Sequence, residues 1–241
     1  MTTASQEISP RVLARIAGAA YLIIIMAGIF AEVFVRSNLI EPGDASATAA
    51  NVLASEGLFR TGFFADSIML LSDVAVAVLF YLLLRPVSQV LALLAAAFRL
   101  TQAAVLGLNL LNYHTALLIL TDSGYRTAFN TDQLNVLALQ SLEAHAYGYD
   151  LGLLFFALST LVMGYLVALS GYFPRILGIG LAAAGLVYLI GSYVRFLAPD
   201  VASYIEPAYV VPLVAELSFC LYLLIRGVRV QERPRPLPVR Q

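Results

Sequence analysis

Apolar residues in this chain come in runs of about twenty or more rather than in short alternating stretches. The runs cover residues 12–35, 58–84, 87–120, 141–169, 176–197 and 208–225. At ~1.5 Å of rise per helical residue, such a run crosses the ~30 Å hydrocarbon core of a bilayer. The pattern predicts an all-α, polytopic membrane bundle of about six spans. The first run follows Arg11 and Arg15 as a signal peptide's would, but it is longer than such a peptide's apolar core and no small-residue cleavage site follows it. It is read as a retained span.

The connections alternate in length. Arg85-Pro86 makes a tight turn between spans two and three. Residues 170–175 do the same between spans four and five, with Gly171 ending one helix and Pro174 opening the next. The two longer links are 36–57 and 121–140. In the first, Pro42-Gly43-Asp44 is a turn, and Asp44 or Ser46 can cap a short helix through Ser55, lying on the membrane surface or over a cavity mouth. In the second, Asn130-Thr131-Asp132-Gln133 reads as a helix start that extends span four outward. The expected organisation is a short segment 1–11, a six-helix domain 12–226 with the loop helix near 44–55, and a disordered basic tail 227–241.

Charge then orients the bundle. One side receives Arg11, Arg15, Arg85, Arg175 and the arginines of the tail; the other receives Glu41, Asp44, Glu56, Asp122, Asp132, Asp200 and Glu206, with Arg36, Arg60 and Arg126. The positive-inside rule puts the arginine-rich side, and with it both termini, in the cytoplasm of a bacterial inner membrane. Composition agrees with lipid as the solvent: 61% of residues are hydrophobic and 12% charged, about half the charged share of a soluble domain. A net charge of −1 offers nucleic acid no attraction. The single cysteine, Cys220, excludes an intrachain disulfide and a cysteine-based metal cluster. Membrane lipids are the expected surroundings, and the tail is expected to attract the anionic ones.

Against this background the ionisable residues inside the spans stand out. A charge in hydrocarbon costs at least ~2.5–3.5 kcal/mol on insertion scales, so it normally faces the bundle interior and has a partner. The set is Glu32, Asp66, Asp73, Arg99, His114, Glu143, His145, Asp150, Arg195 and Glu216: six acids, two arginines and two histidines. Asp66 and Asp73 share a face of span two. Arg99, Gln102, Asn109 and Asn112 form a stripe on span three, and Glu143, Tyr147 and Asp150 share a face of span four beside His145 and Tyr149. Counted from the outer ends, Asp73, Arg99, Asp150 and Glu216 are deepest and the others lie further out. The predicted feature is a polar pocket open to the outer face above an apolar cytoplasmic half. A continuous pore would need polar groups throughout, which argues against a channel.

Several chemistries fit such a set. Asp66, Asp73, Arg99, Asn109, Asn112, Glu143, His145, Tyr149, Asp150, Arg195 and Glu216 are the candidates for a ligand-binding or polar core. His145 with Glu143, Asp150, Asp66 and His114 offers the imidazole and carboxylate mixture of a divalent-metal site, which would make an intramembrane hydrolase with a metal-activated water. Their spacing matches no tight ligand motif. Two histidines at similar depth are too little for haem among so many acids. In the structural reading, Glu32, Glu143 and Arg195 reach the headgroups while Asp73–Arg99 or Asp66–Arg195 fix helix register. His145 and Asp150 differ by about 140° around a regular helix, so Asp150 is expected near Arg99 and His145 toward the outer rim. Gly148 and Gly152, and the small residues 178–185, suit close helix packing, within the chain or in a homo-oligomer.

The run His145-Ala-Tyr-Gly-Tyr-Asp150, with Gly152-Leu-Leu-Phe-Phe156, Phe98-Arg99-Leu100, Asn109-Leu-Leu-Asn112 and Ser170-Gly-Tyr-Phe-Pro-Arg-Ile-Leu-Gly178, resembles the bacterial membrane proteins grouped as domain-of-unknown-function family 4386. The likeness runs to about Arg226. It implies one multi-span module with His145, Asp150, Arg99 and Arg195 in its polar motifs, and it brings no activity. The expected protein binds a small molecule, a lipid headgroup or a cation in an outward-facing pocket. The alternatives are the metal-dependent hydrolase and a structural or partner-binding subunit.

Overall fold

The computed structural model describes residues 9–228, and the expected basic tail lies outside them except for its first two positions. Six helices are long and apolar enough to cross a membrane: Pro10–Leu39, Glu56–Leu84, Gln89–Thr121, Thr131–Leu169, Arg175–Leu197 and Pro199–Ile225, spans one to six below. The protein is an all-α, multi-pass membrane bundle. Its spans pack in sequence order, one against two through five against six, and span six closes the ring against span one.

The helix ends follow local chemistry. Span four starts at Thr131, where Asn130 and Gln133 cap each other's backbone N–H groups at 2.9 and 3.1 Å. The loop helix Ala45–Ala54 begins where the Asp44 carboxylate accepts from Ala47 N at 2.9 Å. Its Ala49 and Val52 are buried in a cluster with Val35, Phe59, Tyr113, Leu134 and Ala138. It therefore covers the ends of the first four spans that lie away from the arginine-rich face.

Span one departs from expectation. Its apolar run predicts an end at Val35, with Arg36 in the following loop. The helix instead continues to Leu39 and is π-helical over Phe30–Arg36. A π segment bonds i to i+5 and carries an extra residue per turn, which changes the direction of side chains beyond it. Arg36 ends up buried, facing the bundle.

Two apolar clusters bracket a polar layer. One is that around the loop helix. The other fills the arginine-rich half with residues such as Ala17, Leu84, Leu166, Phe173, Leu181, Phe219 and Leu223. Both described ends of the chain meet on this face, where Arg11 and Arg226 line one groove. Spans one and six touch closely there, Cys220 donating to the Gly18 carbonyl at 3.3 Å. The small residues of spans four and five meet within the chain, and Gly148 and Gly152 pack on Asn109 and Leu106 of span three.

Candidate functional site

The polar layer resolves into three groups. At the centre, Arg99 is 1% exposed. Its Nε and Nη2 lie 2.8 and 2.6 Å from Asp73 Oδ1, and Gln102 donates to Asp73 Oδ2 at 3.1 Å. The guanidinium is also caged by aromatic rings, with Phe156, Tyr21 and Phe80 centred 4.9, 5.3 and 5.9 Å away. Beside it, Glu216 accepts hydrogen bonds from Tyr21 at 2.8 Å and from Tyr188 at 2.7 Å. All six spans thus meet around one buried cation and two buried carboxylates.

The second group lies further out. Arg36 donates to Glu32 at 2.7 Å and to Asp66 at 2.6 Å, and it sits 5.8 Å from the Tyr149 ring centre. Asp66 is therefore partnered by Arg36 rather than by Arg195. In the third group, Arg195 pairs with Asp150 at 2.8 Å and lies 5.2 Å from the Tyr147 ring centre. The expectation that Asp150 faces Arg99 is corrected: Arg99 belongs to Asp73, and Asp150 reaches the neighbouring span five.

His145 is corrected as well. It is not at the outer rim but buried at 3% exposure, with Nδ1 3.2 Å from the Asn109 carbonyl oxygen. Asn109 in turn donates to the His145 carbonyl at 2.7 Å, and Asn112 donates to the Asn109 side chain at 3.0 Å. This reciprocal pair clamps spans three and four. Span four stays continuous through Gly148, where the Asn109 amide occupies the space a side chain would need.

The residues considered for a metal stand apart. Asp66 is engaged by Arg36, His145 by Asn109, Glu143 is exposed, and His114 packs on Phe63 at 5.8 Å between ring centres. Among the described residues no three His, Cys, Asp or Glu side chains gather as a ligand set. Sequence reasoning missed Arg36 and Tyr21. The Glu32–Arg36 spacing of four was the available signal for the first; nothing local distinguishes Tyr21 from other aromatic residues in the spans.

A cavity of about 190 Å³ adjoins the centre. Asp73, Gln102, Tyr188 and Glu216 form its floor, Tyr149 and Phe156 one wall, and Ile25, Ile29 and Leu213 its rim. Gln102 Oε1 is buried with no hydrogen-bond partner among the described residues. Ile29 and Leu213 are exposed residues of spans one and six. These two residues bring the cavity to the surface of the bundle between spans one and six. Spans one and six are held together near the arginine-rich face and leave the space further out.

The family model described as "Domain of unknown function (DUF4386)" matches residues 16–227. An uncharacterized protein of Archaeoglobus fulgidus is 31% identical over 165 residues, covering 68% of this chain and 83% of that protein. No solved structure matches the chain.

Proposed function

Because this chain belongs to the DUF4386 family, whose description assigns no activity, we propose its function from the cavity: it binds one amphipathic molecule with a cationic or hydrogen-bond-donating head. The head rests on Glu216 and Gln102, and the apolar part leaves between spans one and six into the bilayer.

The observation that carries this reading is the acceptor chemistry of the floor. Asp73 is matched by Arg99, whereas both hydrogen bonds to Glu216 come from neutral phenols. Glu216 and the Gln102 carbonyl oxygen present acceptors at the end of an apolar passage. A head carrying N–H groups satisfies both, and an anionic head is repelled. Mostly apolar walls with a few converging polar groups are the usual make-up of small-molecule sites.

The test is thermal stability of the purified protein in nanodiscs with decylammonium, decanol or decyl sulfate added. Decylammonium is expected to raise Tm most and decyl sulfate least. Glu216→Gln keeps the shape and should weaken the decylammonium effect at least ~10-fold in concentration, the weight of one lost charge-assisted bond of ~1.5–3 kcal/mol. Leu213→Trp at the rim should block it. Equal shifts by all three amphiphiles, or an unaltered response in Glu216→Gln, would sink the proposal.

The orientation is part of the same reading. The arginine-rich face lies in the cytoplasm of the bacterial inner membrane, so the cavity sits toward the outer leaflet. A reporter active only in the cytoplasm should work when fused after Arg240 and be silent when inserted near Asp122; the reverse pattern overturns the orientation.

A further inference from the structure

At the arginine-rich face, away from the cavity, the ends of spans one and six enclose a groove of about 590 Å³. Arg11, Arg15, Tyr222, Ile225 and Arg226 line it. Arg11 and Arg15 stand one helical turn apart at the start of span one, so they project along one side of it. Arg226 follows the last residue of span six.

The arrangement is held by packing. Cys220 and Leu223 press on Gly18, where a Cβ would come within 2.9 Å of Leu223 Cβ, so the two helices cannot slide apart without losing that contact. Gly227 then turns the chain at φ 69°, a conformation that favours glycine, and brings its backbone against that of Arg11. Val228 anchors the turn by burying itself in the apolar core.

Three guanidinium groups therefore face one groove. Among the described residues, the ion pairs involve Arg36, Arg60, Arg99 and Arg195, and no carboxylate reaches Arg11, Arg15 or Arg226. The amino end of span one adds the partial positive charge of the helix dipole. The other lining is apolar: Ile225 is exposed on the lipid-facing surface and Tyr222 stands beside it. A concentrated positive charge at the level where the spans leave the bilayer, bordered by an apolar strip, matches a phosphate with acyl chains attached.

We propose that this groove binds an anionic phospholipid of the leaflet at the arginine-rich face. Its phosphate sits among Arg11, Arg15 and Arg226, where guanidinium groups give paired N–H bonds to phosphate oxygens. Its acyl chains follow Tyr222 and Ile225. Basic pockets between spans are a general means of holding such headgroups.

The full-length protein in a neutral detergent, titrated with lipids and read by native mass spectrometry, tests this. Phosphatidylglycerol is expected to bind at least ~10-fold more tightly than phosphatidylcholine with the same acyl chains. Arg11→Gln with Arg226→Gln should reduce that preference to near unity, and the corresponding lysine pair should retain part of it. Every variant keeps the arginines of the tail, so the difference reads the groove alone. Arg85→Gln with Arg175→Gln should leave phosphatidylglycerol binding unchanged, and glycerol phosphate should not displace the lipid. Equal binding of the two lipids, no effect of the Arg11 and Arg226 changes, or an equal loss on changing Arg85 and Arg175 would each overturn the site. Displacement by glycerol phosphate would show a site for soluble phosphates and overturn the lipid assignment.

Discussion

Arg99→Ala is expected to lower the unfolding free energy by about 3–5 kcal/mol, the usual cost of removing one partner of a buried ion pair. Asp73, 2% exposed, would keep only the Gln102 amide as a hydrogen-bond donor and would face Glu216 with no intervening cation. The ring cage of Phe156, Tyr21 and Phe80 would lose its contents at the same time. Desolvation works against the pair itself, so replacing both members should be far less harmful than replacing one. Arg99→Met with Asp73→Leu is expected to recover more than half of the loss. Equilibrium unfolding in mixed detergent micelles measures all three proteins. A loss below ~1 kcal/mol for Arg99→Ala would mean that water or another donor reaches Asp73, and the centre would not be the dry ion pair described above.

The second large effect is expected at the contact of spans four and five. A Cβ on Gly178 would lie 2.8 Å from Ala168 Cα, and one on Gly164 would lie 2.6 Å from Ala182 N. These neighbours are backbone, which cannot turn aside as a side chain can. Gly178→Leu should therefore separate the two helices and cost ~3 kcal/mol or more, the upper range for overpacking. In a membrane the close approach of such helices supplies dispersion contacts that lipid does not replace. Gly107 is the control, since nothing lies within 4 Å of its Cβ position. Gly107→Ala should be neutral or stabilise by up to ~1 kcal/mol through helix propensity. Comparable losses for the two variants, read from the same unfolding titration, would remove the distinction.

The sequence already contained the features that depend on local composition. A run of apolar residues has a length, and the bilayer has a thickness, so the six spans could be counted without knowing how they pack. The capping of span four at Asn130 and of the loop helix at Asp44 was legible because a cap needs only neighbouring residues. The ionisable residues were legible as a set, since their cost in hydrocarbon is independent of the partner.

Partner choice was not legible, and Arg36, Asp150 and His145 show why. A pairing depends on which spans are neighbours and on the direction of each side chain, and both are properties of the assembled ring. The π segment Phe30–Arg36 is a change of helical register that no apolar pattern records; it moved Arg36 from the loop to the side of Asp66. Asp150 was assigned to the deepest cation by depth alone, whereas its position beside span five gives it to Arg195. His145 read as chemistry because its residue type is rare in spans, and the fold uses it to hold Asn109. Sequence alone determined that charges are placed inside the spans of this membrane protein, because hydropathy acts along the chain. Which charges meet, and that a cavity forms beside them between spans one and six, was decided by tertiary structure, because those contacts join residues up to 195 positions apart.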